Sequence, residues 1–260
     1  MSIKKLFSFF LLLYFFSCKY TYSPYEVGTV KLHQNSINLQ NIQNNETQTG
    51  NDFKVAFISD THNYYEDLHD LINVINKRGP YSFVVVTGDI TNQGLLSEYT
   101  KTKEYLNDLK CPYLVVVGNH DLLSNGGKIY RRLFGSTDFS LIYKDAEFIF
   151  FNNNNWEAGG AVPNVEAVEA KLRASTASQK ILIAHVSPED KDRFTDSEIS
   201  LWQNLVTTYN VNYFINGHDH TQDINGFGTG QRVTVGAPSK RAYFELIFSA
   251  TGVTHQKISF

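Results

Sequence analysis

Gly118-Asn119-His120-Asp121 follows the apolar run Tyr113-Leu114-Val115-Val116-Val117. An amide, an imidazole and a carboxylate have no packing task at the tip of a hydrophobic segment. Similar endings recur along the chain. Asp60-Thr61-His62 closes Phe53–Ile58, and Gly88-Asp89 closes Ser82–Val86. His185 follows Ile181–Ala184, and Gly217-His218-Asp219-His220 follows Tyr213–Ile215. Taken singly, each is weak: Gly-Asn and Gly-Asp are common turn punctuation, and a lone histidine is usually a packing or surface residue. Together they assemble carboxylate, imidazole and amide donors, a ligand set suited to first-row transition metals. There are too many donors for one ion. Two ions about 3.5–4 Å apart, sharing a carboxylate, would use them.

The segments that carry these residues alternate between two periods. Residues 64 to 77 place Leu68, Leu71, Ile72 and Ile75 at helical spacing, and residues 95 to 109 do the same with Leu95, Tyr99, Leu106 and Leu109. Short apolar strands precede and follow them, a rhythm that predicts parallel strands covered on both faces. Beyond residue 137 the pattern predicts a hairpin (138–143 with 147–151), helices near 164–175 and 195–209, and two or three antiparallel strands from Val233 to Phe260. The fold class expected is α/β, with two mixed sheets packed face to face and flanked by helices. Ligands in parallel α/β folds bind beyond the carboxyl ends of the strands, where the donor residues stand.

Asp60-x-His62, Gly88-Asp89, Gly118-Asn119-His120-Asp121, His185 and Gly217-His218-x-His220, in that order, resemble the signature of the calcineurin-like metallophosphoesterases. The resemblance spans residues from about 53 to 248. It implies a helix-flanked β-sandwich with two metals at its edge and a hydrolase acting on phosphoric ester bonds, either phosphatase or phosphodiesterase. Carried over by position, Asp60, His62, Asp89 and His220 would hold one divalent ion. Asp89, Asn119, His185 and His218 would hold the other, with Asp89 as the bridge. The nitrogen and oxygen donors fit Mn, Fe, Zn or Co better than Mg. The implied reaction is attack on a small phosphomonoester or phosphodiester by a hydroxide shared between the ions. His120, beside the ligand Asn119, would protonate the leaving oxygen. Relatives carry an acidic residue a few positions after Gly-Asp to orient this histidine. Asn92 stands there instead, which leaves the partner of His120 open, with Asp121 as one candidate. A competing reading keeps the fold and the metals but has no turnover: a metal-binding interaction module or an envelope metal store.

The remaining features bound the context. Hydrophobic residues form 42% of the 260, enough for a sizeable core, and a net charge of −3 argues against an electrostatic nucleic-acid binder. Two cysteines imply no disulfide framework. Lys4 and Lys5 precede an apolar stretch, Leu6 to Phe16, that is shorter than the roughly 20 residues of a membrane span. Phe16-Ser17-Cys18 is similar to a bacterial lipoprotein processing site, although Phe15 and Phe16 depart from it; an ordinary export signal with an incidental cysteine is the alternative. Residues 1–17 are therefore expected to be a signal peptide, Cys18 a lipidated anchor, and the protein an exported resident of the bacterial envelope, periplasmic or at the cell surface. Gln34 to Asn51 is rich in Asn, Gln and Thr, and 18–51 is expected to be a flexible tether, with Val27 to Leu32 as a piece that could dock. Residues 52–260 form the expected catalytic domain. Phe151-Asn152-Asn153-Asn154-Asn155-Trp156 reads as an Asn-rich turn or as a substrate rim with Trp156 stacked on a base or sugar. His33, His69 and His255 read as unpartnered surface or packing residues, and Cys111 as structural.

Overall fold

The computed structural model describes residues 23–44, 50 and 52–260. The expected signal peptide and Cys18 lie outside them. Among the described residues no helix is long and apolar enough to cross a membrane.

The first half builds α1 (Gln34–Asn44), β1 (Phe53–Ile58), α2 (Tyr65–Arg78), β2 (Phe83–Val86), α3 (Leu96–Leu106), β3 (Tyr113–Val115) and α4 (Gly126–Leu133). The second builds β4 (Phe139–Tyr143), β5 (Ala146–Phe150), α5 (Val165–Ala174), β6 (Gln179–Ile183), α6 (Asp196–Thr208), β7 (Tyr213–Asn216), β8 (Asp223–Phe227), β9 (Gly230–Thr234), β10 (Ala242–Ser249) and β11 (Gly252–Ser259). The strands form two mixed sheets, ordered β11-β10-β1-β2-β3 and β4-β5-β6-β7-β9-β8. The two-sheet α/β architecture expected from the pattern is the one present. β8 and α4 were not anticipated. β8 is only half-buried and contains Gly226, so its alternation is weak, while α4 opens on Gly126-Gly127, a turn signal that masks the amphipathic face of Ile129, Tyr130 and Leu133 behind it.

Alternation along each central strand makes three apolar layers. Val55, Phe57 and Val85 join Phe148, Phe150, Ile181, Ile183 and Ile215 between the sheets. The intervening Ala56, Ile58, Val84 and Val86 face α2, α3 and α4, which present Leu68, Ile72, Tyr99 and Tyr130. On the other side Ile149, Leu182 and Phe214 face α5 and α6, with Leu172 and Trp202 against them. Burial on both faces explains why β2 reads as an unbroken Phe-Val-Val-Val run rather than an alternating one. Register then sets the site. Ile58 lies opposite Val86, and Val86 opposite Val115, so the loops after β1, β2 and β3 leave one sheet edge side by side. Phe150, Ile183 and Ile215 align likewise in the second sheet.

The tether expected over 18–51 is corrected for residues 34–44, while the piece Val27 to Leu32 docks as the pattern allowed. Val27 and Leu32 pack against the helical layer, and the Leu32 N–H donates to the Arg132 carbonyl at 2.8 Å. The Asn-rich segment forms α1 and lies along β3, an edge strand with unpaired backbone groups. Asn35 Nδ2 donates to the Val115 carbonyl and Asn35 Oδ1 accepts from the Val115 N–H, both at 2.9 Å. Asn38 Nδ2 donates to the Tyr113 carbonyl at 2.7 Å. Low apolar content predicts inability to order; here side-chain amides take the place of a neighbouring strand.

Candidate metal centre

The loops at the shared edge hold two groups of donor side chains. Asp60, His62 and His220 form one, Asp89, His185 and His218 the other, and within each group the donor atoms lie within 4.8 Å of one another. Asp89 Oδ2 connects them, 3.2 Å from His185 Nε2 and 3.7 Å from His62 Nε2. Asn119 Oδ1 stands 3.1 Å from His185 Nε2 and 3.0 Å from His218 Nδ1, which places it with the second group. His220 Nε2 is 3.4 Å from Asp60 Oδ1 and 3.1 Å from His62 Nε2.

Backbone geometry builds this convergence. Ten non-glycine residues among those described have positive φ, and five of them are Asp60, His62, Asp89, His218 and His220. Such strain gathers where a function over-determines the backbone. The loops are also tied to each other: the Asp60 N–H donates to the Gly88 carbonyl, the His62 N–H to the Asp89 carbonyl, and the His120 N–H to Asp89 Oδ1. The glycines of the motif supply space. A Cβ on Gly88 would strike the His185 ring, one on Gly217 would strike Ser59 Oγ, and one on Gly118 would strike the Asp89 carboxylate and backbone nitrogen.

Donor chemistry tests whether cations fit. His62 Nδ1 faces the Thr91 carbonyl at 3.0 Å and His185 Nδ1 faces the Thr87 carbonyl at 2.8 Å. A carbonyl only accepts, so both Nδ1 atoms carry hydrogen and each Nε2 is left to a second proton or a cation. The Nε2 of His185 points at two acceptors, Asp89 Oδ2 and Asn119 Oδ1. Convergence of lone pairs in a buried site is favourable only with positive charge among them. The residues fit a dimetal centre.

Burial and mutual charge shift the titration of these groups in opposite directions. Burial raises the Asp60 carboxyl to about 7, with repulsion from Asp89 adding and His185 opposing. At Asp89 burial also acts upward, but the charge and hydrogen bond of His185 outweigh it and hold the carboxyl at about 2. Burial pushes His185 down, and the charge and hydrogen bond of Asp89 lift it to about 9. Burial lowers His62 and His218 to about 4, His218 being further repelled by His185 and Arg193. His220 is lowered too, by burial first.

His120 is half-buried beside the first group, its ring edge-on to His62 with centroids 4.9 Å apart. Its Nδ1 donates to the Asn92 carbonyl at 2.7 Å. Asp121 is not its partner. The Asp121 carboxylate is fully buried and accepts from the N–H groups of Gly118, Ile90 and Thr91 and from Thr91 Oγ1, stapling the β2 and β3 loops together. Position 92 thus orients the imidazole through its backbone, and its side-chain type is irrelevant to that contact.

The Asn-rich stretch is a set of buried staples. Asn153 exchanges two hydrogen bonds with the Val186 backbone, and Asn154 Nδ2 donates to the Val117 carbonyl at 2.9 Å, linking the two sheets at the site edge. Asp190 was missed in the sequence. Its Oδ2 lies 3.6 Å from His218 Nε2, behind the ring nitrogen that faces Asn119. The only local signal is its position five residues after His185. His255 has a partner after all, Tyr213 Oη at 3.0 Å, and His69 lies 3.4 Å from the Asn73 amide.

A helix-flanked two-sheet sandwich with paired nitrogen–oxygen donor groups at its strand ends is the frame of a dimetal site, and the family match makes it that of a hydrolase of phosphoester bonds. Residues 53–222 match the calcineurin-like phosphoesterase family, and the chain belongs to it. It is 25% identical over 190 residues, 65% of this chain and 77% of the other, to a Coxiella burnetii protein named "Probable cyclic nucleotide phosphodiesterase". Two solved structures share the fold. The anchor in the inner membrane complex of Plasmodium superposes with a TM-score of 0.64 at 13% identity, covering 80% of this chain and 85% of that one. A dimetal phosphatase from Danio rerio superposes with a TM-score of 0.59 at 12% identity, covering 80% and 99%.

Proposed function

We propose that this chain is an exported phosphodiesterase acting on small, nucleotide-type phosphodiesters, with Asp60, His62, Asp89 and His220 holding one divalent ion and Asp89, Asn119, His185 and His218 the other. The observation that carries the reading is Asp89 Oδ2 standing between His62 Nε2 and His185 Nε2. The name of the Coxiella relative supports the diester class. Two bound cations supply Lewis acidity and a water acidic enough to ionise near neutral pH. The chain's own residues do the rest. Water oxygen bonds to phosphorus as the bond to the leaving oxygen breaks, and the water proton passes to solvent. His120, aimed by the Asn92 carbonyl, gives its proton to the leaving oxygen. Asn119 is positioned to ligate through Oδ1, so His120 and Asn119, adjacent in sequence, serve proton transfer and binding respectively.

Chelation of the full chain is expected to abolish hydrolysis of bis-p-nitrophenyl phosphate, and Mn, Fe, Zn or Co to restore it, with a lower rate on p-nitrophenyl phosphate. A faster monoester rate would replace the diester reading by a phosphatase. About two bound ions with no turnover on either ester would make the chain a metal-binding interaction module.

Residues 1–17 are proposed as a signal peptide and Cys18 as a lipid anchor to the envelope membrane, on the strength of the charged start, the short apolar stretch and Ser17-Cys18. Cells expressing the chain are expected to incorporate labelled fatty acid into it, and Cys18→Ser to lose the label. Label retained in the serine variant would sink the anchor.

A further inference from the structure

Trp156 is 60% exposed, yet its ring is held in place from behind. The Arg193 guanidinium lies over one face, 4.6 Å from the ring centroid. Arg193 is itself fixed. Its side chain is 6% exposed and pairs with Glu157 through two hydrogen bonds of 2.8 and 3.3 Å. Asn155 Nδ2 donates to the Arg193 carbonyl at 2.6 Å, and the Trp156 N–H donates to Asn155 Oδ1. Exposure alone is ordinary for a single apolar side chain; what sets Trp156 apart is that its ring is backed by a buried, ion-paired arginine. Here Arg193 covers one face and the ring is otherwise left exposed.

The ring also belongs to the neighbourhood of the metal centre. Arg193 Nε is 4.0 Å from Asp190 Oδ2, and the same oxygen is 3.6 Å from His218 Nε2. Arg193 therefore backs Trp156 on one side and, through Asp190, adjoins the second donor group on the other. His120 stands at the opposite group, against His62. The contacts run from His218 through Asp190 and Arg193 to Trp156, so the ring lies on the side of the second donor group.

We infer that Trp156, fixed by Arg193, is a stacking platform for a planar ring of the substrate on the side of the second donor group, and that the preferred phosphoesters carry a nucleobase. This rests on the phosphodiesterase reading above. Stacking of a base on an aromatic side chain contributes about 1–3 kcal/mol, equivalent to roughly 5–150-fold in affinity. The guanidinium behind the ring adds rigidity, so little order has to be imposed when the base arrives.

Binding separates this inference from turnover. In the Mn-loaded full chain, adenosine 5′-monophosphate is expected to quench tryptophan emission. The only other tryptophan, Trp202, is buried against Phe151 and out of reach. By calorimetry Trp156→Ala should weaken that binding roughly 5–150-fold, while Trp156→Phe retains most of it and ribose 5-phosphate binds all three chains alike. Unchanged adenosine 5′-monophosphate affinity in Trp156→Ala would overturn the platform. So would an equal loss for ribose 5-phosphate, which would assign the ring to the phosphate site. Absence of esterase activity in every chain would instead count against the phosphodiesterase reading, since the binding measurement stands without turnover.

Discussion

His120→Ala is expected to lower turnover of an alkyl phosphodiester by about 10²–10⁴-fold, the range for loss of a positioned general acid, and to leave the binding of two ions intact. The ring makes few structural contacts. Its Nδ1 donates to the Asn92 carbonyl and its edge meets His62. The tie that matters for the centre, the His120 N–H donating to Asp89 Oδ1 at 2.9 Å, is backbone and survives the substitution. The loss should therefore scale with the leaving group. An alkoxide departs poorly unless protonated, whereas p-nitrophenolate departs readily as the anion, so bis-p-nitrophenyl phosphate should be much less affected. Metal content by elemental analysis and rates on the two esters decide the matter. Equal losses on both esters, or loss of an ion, would remove His120 from proton transfer and make it a support for the site.

Gly118→Ala is expected to be the most damaging single-methyl change at the centre. The added Cβ would collide with Asp89 Oδ1 and with the Asp89 backbone nitrogen, neither of which is the flexible end of a long side chain. Relief requires the β2 and β3 loops to part, against the Asp121 staple that accepts from the Gly118, Ile90 and Thr91 N–H groups. Overpacking of this kind costs about 1–3 kcal/mol, a fall in Tm of roughly 3–10 °C for a domain of this size. Displacing the shared carboxylate should also weaken metal binding about 10–100-fold, as changes to groups that orient ligands do. Calorimetric Tm and metal titration read the two effects. An alanine variant with unchanged Tm and both ions at full affinity would show that the glycine is dispensable.

How much was legible in advance follows from which contacts are local. Asp60, His62, Asp89, Asn119, His120, His185, His218 and His220 announce themselves because polar, chemistry-bearing types interrupt apolar runs, a pattern visible within five or six residues. Strand and helix periods are local in the same way, and so the α/β sandwich was readable. Asn35 and Asn38 were misread because composition measures apolar area and says nothing of amides finding an exposed strand edge about 80 residues away. The partner of His120 stayed open in the sequence, with Asp121 only a candidate, because the actual acceptor, the Asn92 carbonyl, is a group every residue carries.

The sequence by itself determined the family, the sandwich class and the kinds of donor atom available. Only the tertiary structure decided which donors share a group, since His62 and His220 meet across 158 residues of chain. It also decided which imidazole nitrogen faces inward, set by the Thr91 and Thr87 carbonyls, and that Trp156 lies held against Arg193 rather than loose on a turn. Residue type and periodicity are properties of neighbours in the chain. Tautomer, bridging and stacking depend on backbone and charges delivered from elsewhere by sheet register.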